Sequence, residues 1–230
     1  MKVITHPIEK ISDYIGYSSH ELIEKEWIFR GHENVQFPLK PSVARIAPRE
    51  GTIQSMESNM LTEFQRRYLH APENKWGLLA LAQHHGLPTR LLDWTQNPLV
   101  AMFFAVDKPS KSKTSVVWAY RYNCIATQSL DPFTIKEIHV FHPTHVTVRI
   151  PAQQGCFTVH PPPFYDMRRV QRTDEELVRF TIGNKYRVQI KNDLDRLGIN
   201  YASLFPDLDG LCKYLKWYFS VSEEENDIKI

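Results

Sequence analysis

Cysteine is scarce in this chain: Cys124, Cys156 and Cys212 are the only three in 230 residues, and no two form a C-x-x-C pair. An odd, widely spaced set excludes a disulfide framework and reads as reduced thiols in a cytoplasmic protein. Long apolar runs are missing too. The longest, Leu99 to Val106, has eight residues, against the roughly 20 that span a bilayer, so no membrane partner is expected. No apolar h-region follows Met1-Lys2-Val3, and no signal peptide is expected. Neither sign of charge dominates, with 28 Lys and Arg against 26 Asp and Glu and a net +2. That argues against DNA binding by bulk charge and leaves room for a local basic patch. Repeats and low-complexity tracts are absent, so collagen-like and coiled-coil architectures and global disorder are excluded.

What is present is a globular composition, 42% hydrophobic and 23% charged, long enough to hide roughly 70% of its unfolded surface. Ser18 and Glu21 have capping-box spacing for a helix over 19–25. Trp27-Ile28-Phe29-Arg30-Gly31 predicts a short buried strand ending at Arg30. Apolar residues at helical spacing predict helices over 52–69 and 75–85, the second stopped by Gly86. Asn97-Pro98 opens a third, apolar on every side and therefore buried. Strands are expected over 115–122, 136–141, 146–150, 155–160, 177–182 and 186–190, with Pro161-Pro162-Pro163 as an extended connector. Helix returns over 201–219, with Leu208, Leu211, Leu215 and Phe219 on one face, and 222–230 reads as an acidic tail. Helices first and strands second give an α+β class, taken as one domain over 1–230, with the helical N-terminal half packed on a mostly antiparallel sheet.

Several segments could carry chemistry. Arg30 beside Gly31, at a strand end, can offer a guanidinium fork to phosphate or ribose oxygens; the alternative is a structural pair with a carboxylate such as Asp93. Residues 83–97 are dense in polar groups between apolar helices, and such groups must find partners or line a cavity. Asp93-Trp94-Thr95 precedes a helix, where a pyrophosphate can dock. The alternative is a capping network in which Arg90 neutralises Asp93. Adjacent His84 and His85 point to different faces, so a shared metal is not expected, although either could act as a general base. His139-x-x-His142-x-x-His145 is interrupted by Pro143 and has no cysteine or carboxylate cluster in sequence, so no metal is expected there. Gln153-Gln154-Gly155 could read a planar ligand edge, or form a bulge with solvated amides. Cys156 has no basic neighbour to activate it. Arg168, Arg169 and Arg172, with Phe164 and Tyr165 nearby, form the clearest basic patch for nucleic acid, or a solvated loop. Asp207 suits a helix N-terminal turn, with a catalytic carboxylate as the alternative.

Phe29-Arg30-Gly31 and the block from Gln83-His84-His85-Gly86 through Thr89-Arg90-Leu91-Leu92-Asp93-Trp94-Thr95 resemble the FRG-domain family, named for its Phe-Arg-Gly signature. Asn97-Pro98 with Ala101, Phe104 and Ala105 follows in register. Gln153 to Phe157 and Leu204 to Leu208 resemble later blocks, so the resemblance runs from about residue 25 to 215. The arrangement also resembles, at a distance, ADP-ribosyltransferase toxins: an early strand with an arginine, an aromatic and threonine segment before a helix, then a late strand with an acid. That resemblance implies an ADP-ribosyltransferase-like sheet and an NAD-consuming toxin or anti-phage effector acting on RNA or DNA, with NAD as substrate, no metal, and an antitoxin as partner. It implies catalytic roles for Arg30, Asp93 and Gln154. NAD contacts fall to Gly31, His84, His85, Thr89, Arg90, Trp94, Thr95 and Phe157. The departure is Gln154, where the transferase pattern has glutamate. Either Asp93 or Asp207 supplies the acid, or Gln154 only positions substrate, or the chain is no transferase and serves as a nucleotide- or RNA-binding module.

Overall fold

The computed structural model describes residues 3–20, 22, 27–108, 112–143, 148–169 and 175–220. Seven strands lie in one sheet: β1 (Ile4–Ile8), β2 (Trp27–His32), β3 (Leu91–Thr95), β4 (Thr114–Arg121), β5 (His139–Phe141), β6 (Gly155–Val159) and β7 (Glu176–Gly183). Their order is β1-β7-β4-β2-β3-β6-β5, and every pairing is antiparallel except that of β1 with β7. The helices are α1 (Ile11–His20), α2 (Ile53–Arg67), α3 (Lys75–His84), α4 (Pro98–Val106), α5 (Arg149–Ala152), α6 (Arg187–Arg196), α7 (Tyr201–Leu204) and α8 (Leu208–Phe219). The α+β class and the mostly antiparallel sheet expected from sequence are both present.

Side-chain alternation distributes the core over the two sheet faces. Ile28, Leu92, Trp94, Val116, Trp118, Tyr120, Cys156 and Leu177 share one face. The opposite face is divided. Phe29, Val117, Ala119, Val178 and Phe180 pack with α4, α1 and α6, whereas Leu91, Phe157 and Val159 pack with Leu61 of α2 and with α3. Between these two cores β2 and β3 barely touch, since their ladder is a single residue pair, Phe29 with Thr95.

Local signals set several boundaries. Thr52 and Ser55 close a reciprocal capping box on α2. At the end of α3, Leu87 N donates to Ala82 O and Gly86 N to Gln83 O, a Schellman pattern that needs the positive φ of Gly86, 85°. Asn97 accepts from Leu99 N and Val100 N at the start of α4, with Pro98 first in the helix. Gly31 meets α4 backbone to backbone. A Cβ there would overlap the Ala101 carbonyl oxygen and lie 2.6 Å from Ala105 N.

Elsewhere tertiary structure overrode the local reading. A helix covers Ile11–His20, starting earlier than the one expected over 19–25, of which only residues 19, 20 and 22 are described: Asp13 accepts from Lys10 N, while Ser18 and Ser19 donate to Ile15 O and Gly16 O inside the helix. Glu21 and 23–26 lie outside the described residues. The strand expected to end at Arg30 runs on to His32 because β4 pairs with it along its full length. Strand β1 was not foreseen; its Pro7 is tolerated because β1 is the sheet edge. β3 was read as a polar segment before a helix, but it is an internal strand between β2 and β6. The strand expected over 146–150 has residues 144–147 outside the described set, and Arg149–Ala152 is a helical turn. The one over 186–190 is the start of α6, whose buried Arg187, Ile190 and Leu194 recur at helical spacing. The strand of 136–141 shrinks to β5, and residues 161–163 form a turn with a cis Pro162-Pro163 bond. Pro206 divides 201–219 into α7 and α8, and Leu208, Leu211, Leu215 and Phe219 are exposed on α8.

One buried ion pair ties α2 to the start of β3. Glu57 and Arg90 have side chains 0% and 3% exposed. The Glu57 carboxylate accepts from Arg90 N, Nε and Nη2 at 2.6–3.2 Å, and Arg90 Nη1 donates to Pro132 O. The Phe133 ring lies 4.4 Å from the guanidinium. Arg90 is committed to Glu57 and not to Asp93, the pairing that the alternative reading of the sequence offered. Removing one partner leaves a buried charge without compensation. Glu57→Ala is therefore expected to lower the unfolding free energy by about 3–5 kcal/mol in urea titrations. Gly31→Ala, forced into the α4 backbone, is expected to cost about 3 kcal/mol or more by the same measurement.

Candidate functional site

The opening between β2 and β3 is the mouth of a cavity of about 450 Å³. Phe29 and Gly31 from one sheet face line it together with Arg30 and His32 from the other, because the strands part there. Continuing the ladder from Phe29–Thr95 would set Gly31 opposite Asp93. In its place the Arg30 side chain spans the gap: Nη1 donates to the Asp93 main-chain oxygen, and Nε donates to His32 Nε2 at 2.8 Å. The Asp93 carboxylate lies 3.6 Å from Nη1, and the Arg30 side chain is 19% exposed. Arg30 Nη2 has no hydrogen-bond partner among the described residues, which leaves it for a ligand oxygen.

Asp93 is held from the other side. Thr89 Oγ1 donates to Gln83 Oε1 at 2.8 Å, and Gln83 Nε2 donates to Asp93 Oδ2 at 3.1 Å. The acceptor Oε1 faces a hydroxyl and the donor Nε2 faces a carboxylate, so the amide orientation is fixed by both ends. Thr89, Gln83, Asp93 and Arg30 thus form a continuous chain from the buried end of β3 to the cavity. The Asp93 side chain remains 56% exposed.

Electrostatics in the cavity favour an anionic ligand. Lys40, Arg45 and Lys108 line it beside Arg30, with Glu33, Asp93 and Asp107 as the carboxylates. Asp107 is already engaged by Lys191 and by the Tyr201 hydroxyl. Burial lowers the Arg30 pKa, with Asp93 opposing and Arg45 reinforcing that shift, yet a guanidinium stays charged. Burial, then Arg30, Arg45 and Arg168, push His32 down to about 2. A neutral ring is what the geometry requires, since Nε2 accepts from Arg30.

A smaller recess of about 180 Å³ adjoins the cavity and shares Asp93, Trp94, Gln153 and Phe205 with it. His84, Arg149 and Phe157 line the recess. The His84 pKa is lowered by burial, then by His85 and Arg149. Of the residues singled out from sequence, Arg30, Gly31, Asp93, Trp94 and Thr95 line the cavity, and His84 and Phe157 line the recess. Thr95 is itself structural, donating to Gln153 O and accepting from Asn97 N. Trp94 is buried, its Nε1 donating to Thr158 Oγ1.

The remaining candidates lie elsewhere. Gln154 is exposed at a left-handed turn, φ 47°, and Gln153 is the amide on the cavity wall. His85 is exposed outside both linings, its ring perpendicular to that of His84 at 5.0 Å. Thr89 and Arg90 are buried behind the site. Arg168 is committed to the buried Asp166 by two-pronged hydrogen bonds, Arg169 is exposed, and Arg172 lies outside the described residues. Asp207 caps α8 through Gly210 N and pairs with Arg149 at 2.6 Å, contacts that hold its pKa below the usual carboxylate range. Cys156 does line the recess, but burial raises its thiol far above a nucleophile's range. Sequence reasoning passed over His32, Lys40, Arg45 and Lys108, and gave Phe205 no role beyond its place in the 204–208 block. Only His32 carried a signal, two residues beyond Arg30 on a strand and so on the same face.

Residues 25–114 match the family model of the FRG domain. The match includes β2, β3 and α4, and so Arg30, Gly31 and Asp93; Gln153, Arg149 and Phe205 are contributed from beyond it. No curated protein and no solved structure matches the chain.

The depressed pKa of His32 has a signed consequence. The unfolded ring takes a proton near pH 6.5 while the folded ring stays neutral to about 2. Stability from this residue is thus complete above about pH 6.5 and falls as pH drops below it, by at most about 1.4 kcal/mol per unit. In NMR titration the His32 ring signals are expected to stay fixed from about pH 7 to about pH 4. A midpoint near 6.5, the ordinary imidazole range, would contradict the buried Arg30–His32 contact.

Proposed function

We propose that the cavity binds NAD and that the protein transfers its ADP-ribosyl group to an acceptor, with RNA or DNA as the acceptor class. The observation that carries this reading is the Arg30 guanidinium, fixed across the opening between β2 and β3 with Nη2 unengaged. Three further cations share its cavity. A guanidinium with a spare edge suits a pyrophosphate or ribose oxygen, and Lys40, Arg45 and Lys108 complement the remaining charge. A volume of about 450 Å³ is in the range of small-molecule sites. Phe29, Phe37, Phe104 and Phe205 supply apolar wall for planar rings.

In such a transfer the bond from the ribose anomeric carbon to the nicotinamide ring nitrogen breaks, and its electron pair neutralises the positive ring. The acceptor heteroatom then bonds to that carbon and releases its proton. Asp93, held by Gln83 and Arg30, is the carboxylate suited to stabilise the cationic sugar or receive the proton. This role answers the lack of a glutamate at Gln154. Gln153 on the wall is suited to position substrate.

The test is nicotinamide release from NAD by purified protein, with RNA, DNA or no acceptor. Acceptor-dependent release is expected, falling about 100-fold or more in Arg30→Lys and Asp93→Asn, as for loss of a charge-stabilising group. Thermal melts check that both variants fold. If the folded wild-type protein releases no nicotinamide with any acceptor, transfer is wrong. Salt-dependent RNA affinity that persists in Arg30→Lys would then support the binding-module alternative.

A further inference from the structure

Outside the cleft, at the sheet edge formed by β5, three chemically distinct ligating groups come together. The segment after β4 runs alongside β5: Val140 N donates to Cys124 O at 2.8 Å and Ala126 N donates to Val140 O at 2.7 Å. Ile125 and Val140 form a parallel bridge. In that register Cys124 stands next to His139, and Glu137 precedes His139 by two residues along the same edge. The Cys124 sulfur, a Glu137 carboxylate oxygen and a His139 ring nitrogen all lie within 4.8 Å of one another.

We propose that Cys124, Glu137 and His139 form a binding site for a zinc-type divalent cation. Ligand atoms on a tetrahedral zinc stand about 3.3–3.5 Å apart, given bonds of about 2.0–2.3 Å. The trio therefore needs to contract by no more than about 1.5 Å, which side-chain rotation can supply. One ring nitrogen of His139 is engaged by the backbone, which leaves the other with its lone pair. His139 Nδ1 lies 3.0 Å from Glu137 O; a carbonyl only accepts, so Nδ1 carries the proton and Nε2 the lone pair. Backbone carbonyls orient metal-ligating histidines in this way. A thiolate with an imidazole and one carboxylate selects zinc, cobalt or nickel over magnesium or calcium, which require oxygen ligands. The fourth position is open to water.

This proposal departs from the sequence reading, which weighed only the run His139-x-x-His142-x-x-His145 and expected no metal. His145 lies outside the described residues. The cysteine and the carboxylate missing from that run are supplied through space. An ion here would clip 124–126 to a three-residue edge strand, adding its binding energy to folding.

The experiment is titration of reduced, tag-free full-length protein with cobalt(II), followed by zinc(II). One equivalent of cobalt is expected to give a thiolate-to-metal charge-transfer band that zinc abolishes, and zinc is expected to raise the thermal midpoint. Cys124→Ser should remove the band, and Glu137→Gln and His139→Ala should weaken cobalt binding at least tenfold. Cys212→Ser, altering an exposed cysteine on α8, should change nothing. Absence of the band in folded wild-type protein would overturn the proposal. So would a band that survives Cys124→Ser, or full cobalt affinity retained by the exposed-site variant Glu137→Gln.

Discussion

The backbone contact between α4 and β2 governs the geometry of this protein. Gly31 leaves no room for even a methyl group against Ala101 and Ala105, so the apolar helix lies directly on the strand. β2 then follows β4 through six paired residues and leaves β3 after a single pair. An internal sheet opening exposes unpaired backbone groups, which cannot stay unsatisfied when buried. Arg30 resolves this by donating to the Asp93 carbonyl. The same side chain that mends the sheet therefore presents its remaining edge to a cavity.

Rigid support reaches that side chain from two directions. Behind β3 the Glu57–Arg90 pair fixes α2 to the start of the strand, with its lone pairs and protons satisfied by Arg90 N and Pro132 O as well as by each partner. Such a pair adds little net stability over apolar packing but tolerates few alternative arrangements. Thr89, adjacent in sequence, passes that order to Gln83 and on to Asp93. On the other side neutral His32 accepts from Arg30 Nε and sets the guanidinium plane. Protonating His32 would place donor against donor, so a cation-rich cavity and a neutral histidine follow from one arrangement.

Where chemistry was legible in the sequence, it was legible because spacing and residue type left few choices. Arg30-Gly31, the polar block between apolar helices, and Asn97-Pro98 at the mouth of α4 all sit where a one-dimensional reading places them. Glu57 was legible in principle: with Leu61 and Phe64 it falls at i, i+4 and i+7 on the buried stripe of α2, a position where a charge requires a partner. The identity of that partner was not, because Arg90 lies 33 residues away and has in Asp93 a carboxylate of its own nearer in sequence.

The sequence by itself determined the α+β class, the caps and turns of α2, α3 and α4, the buried character of α4, and the arginine at the centre of the site. These depend on periodicity and on bonds within a few residues. Tertiary structure alone decided that Leu91–Thr95 is a strand, that Tyr186–Ile190 belongs to a helix start, that Gln153 and not Gln154 faces the cavity, and that Cys124 meets His139. Each of these is fixed by hydrogen bonds or packing between segments distant along the chain. Local propensity is worth tenths of a kcal/mol per residue, and such long-range pairings outweigh it.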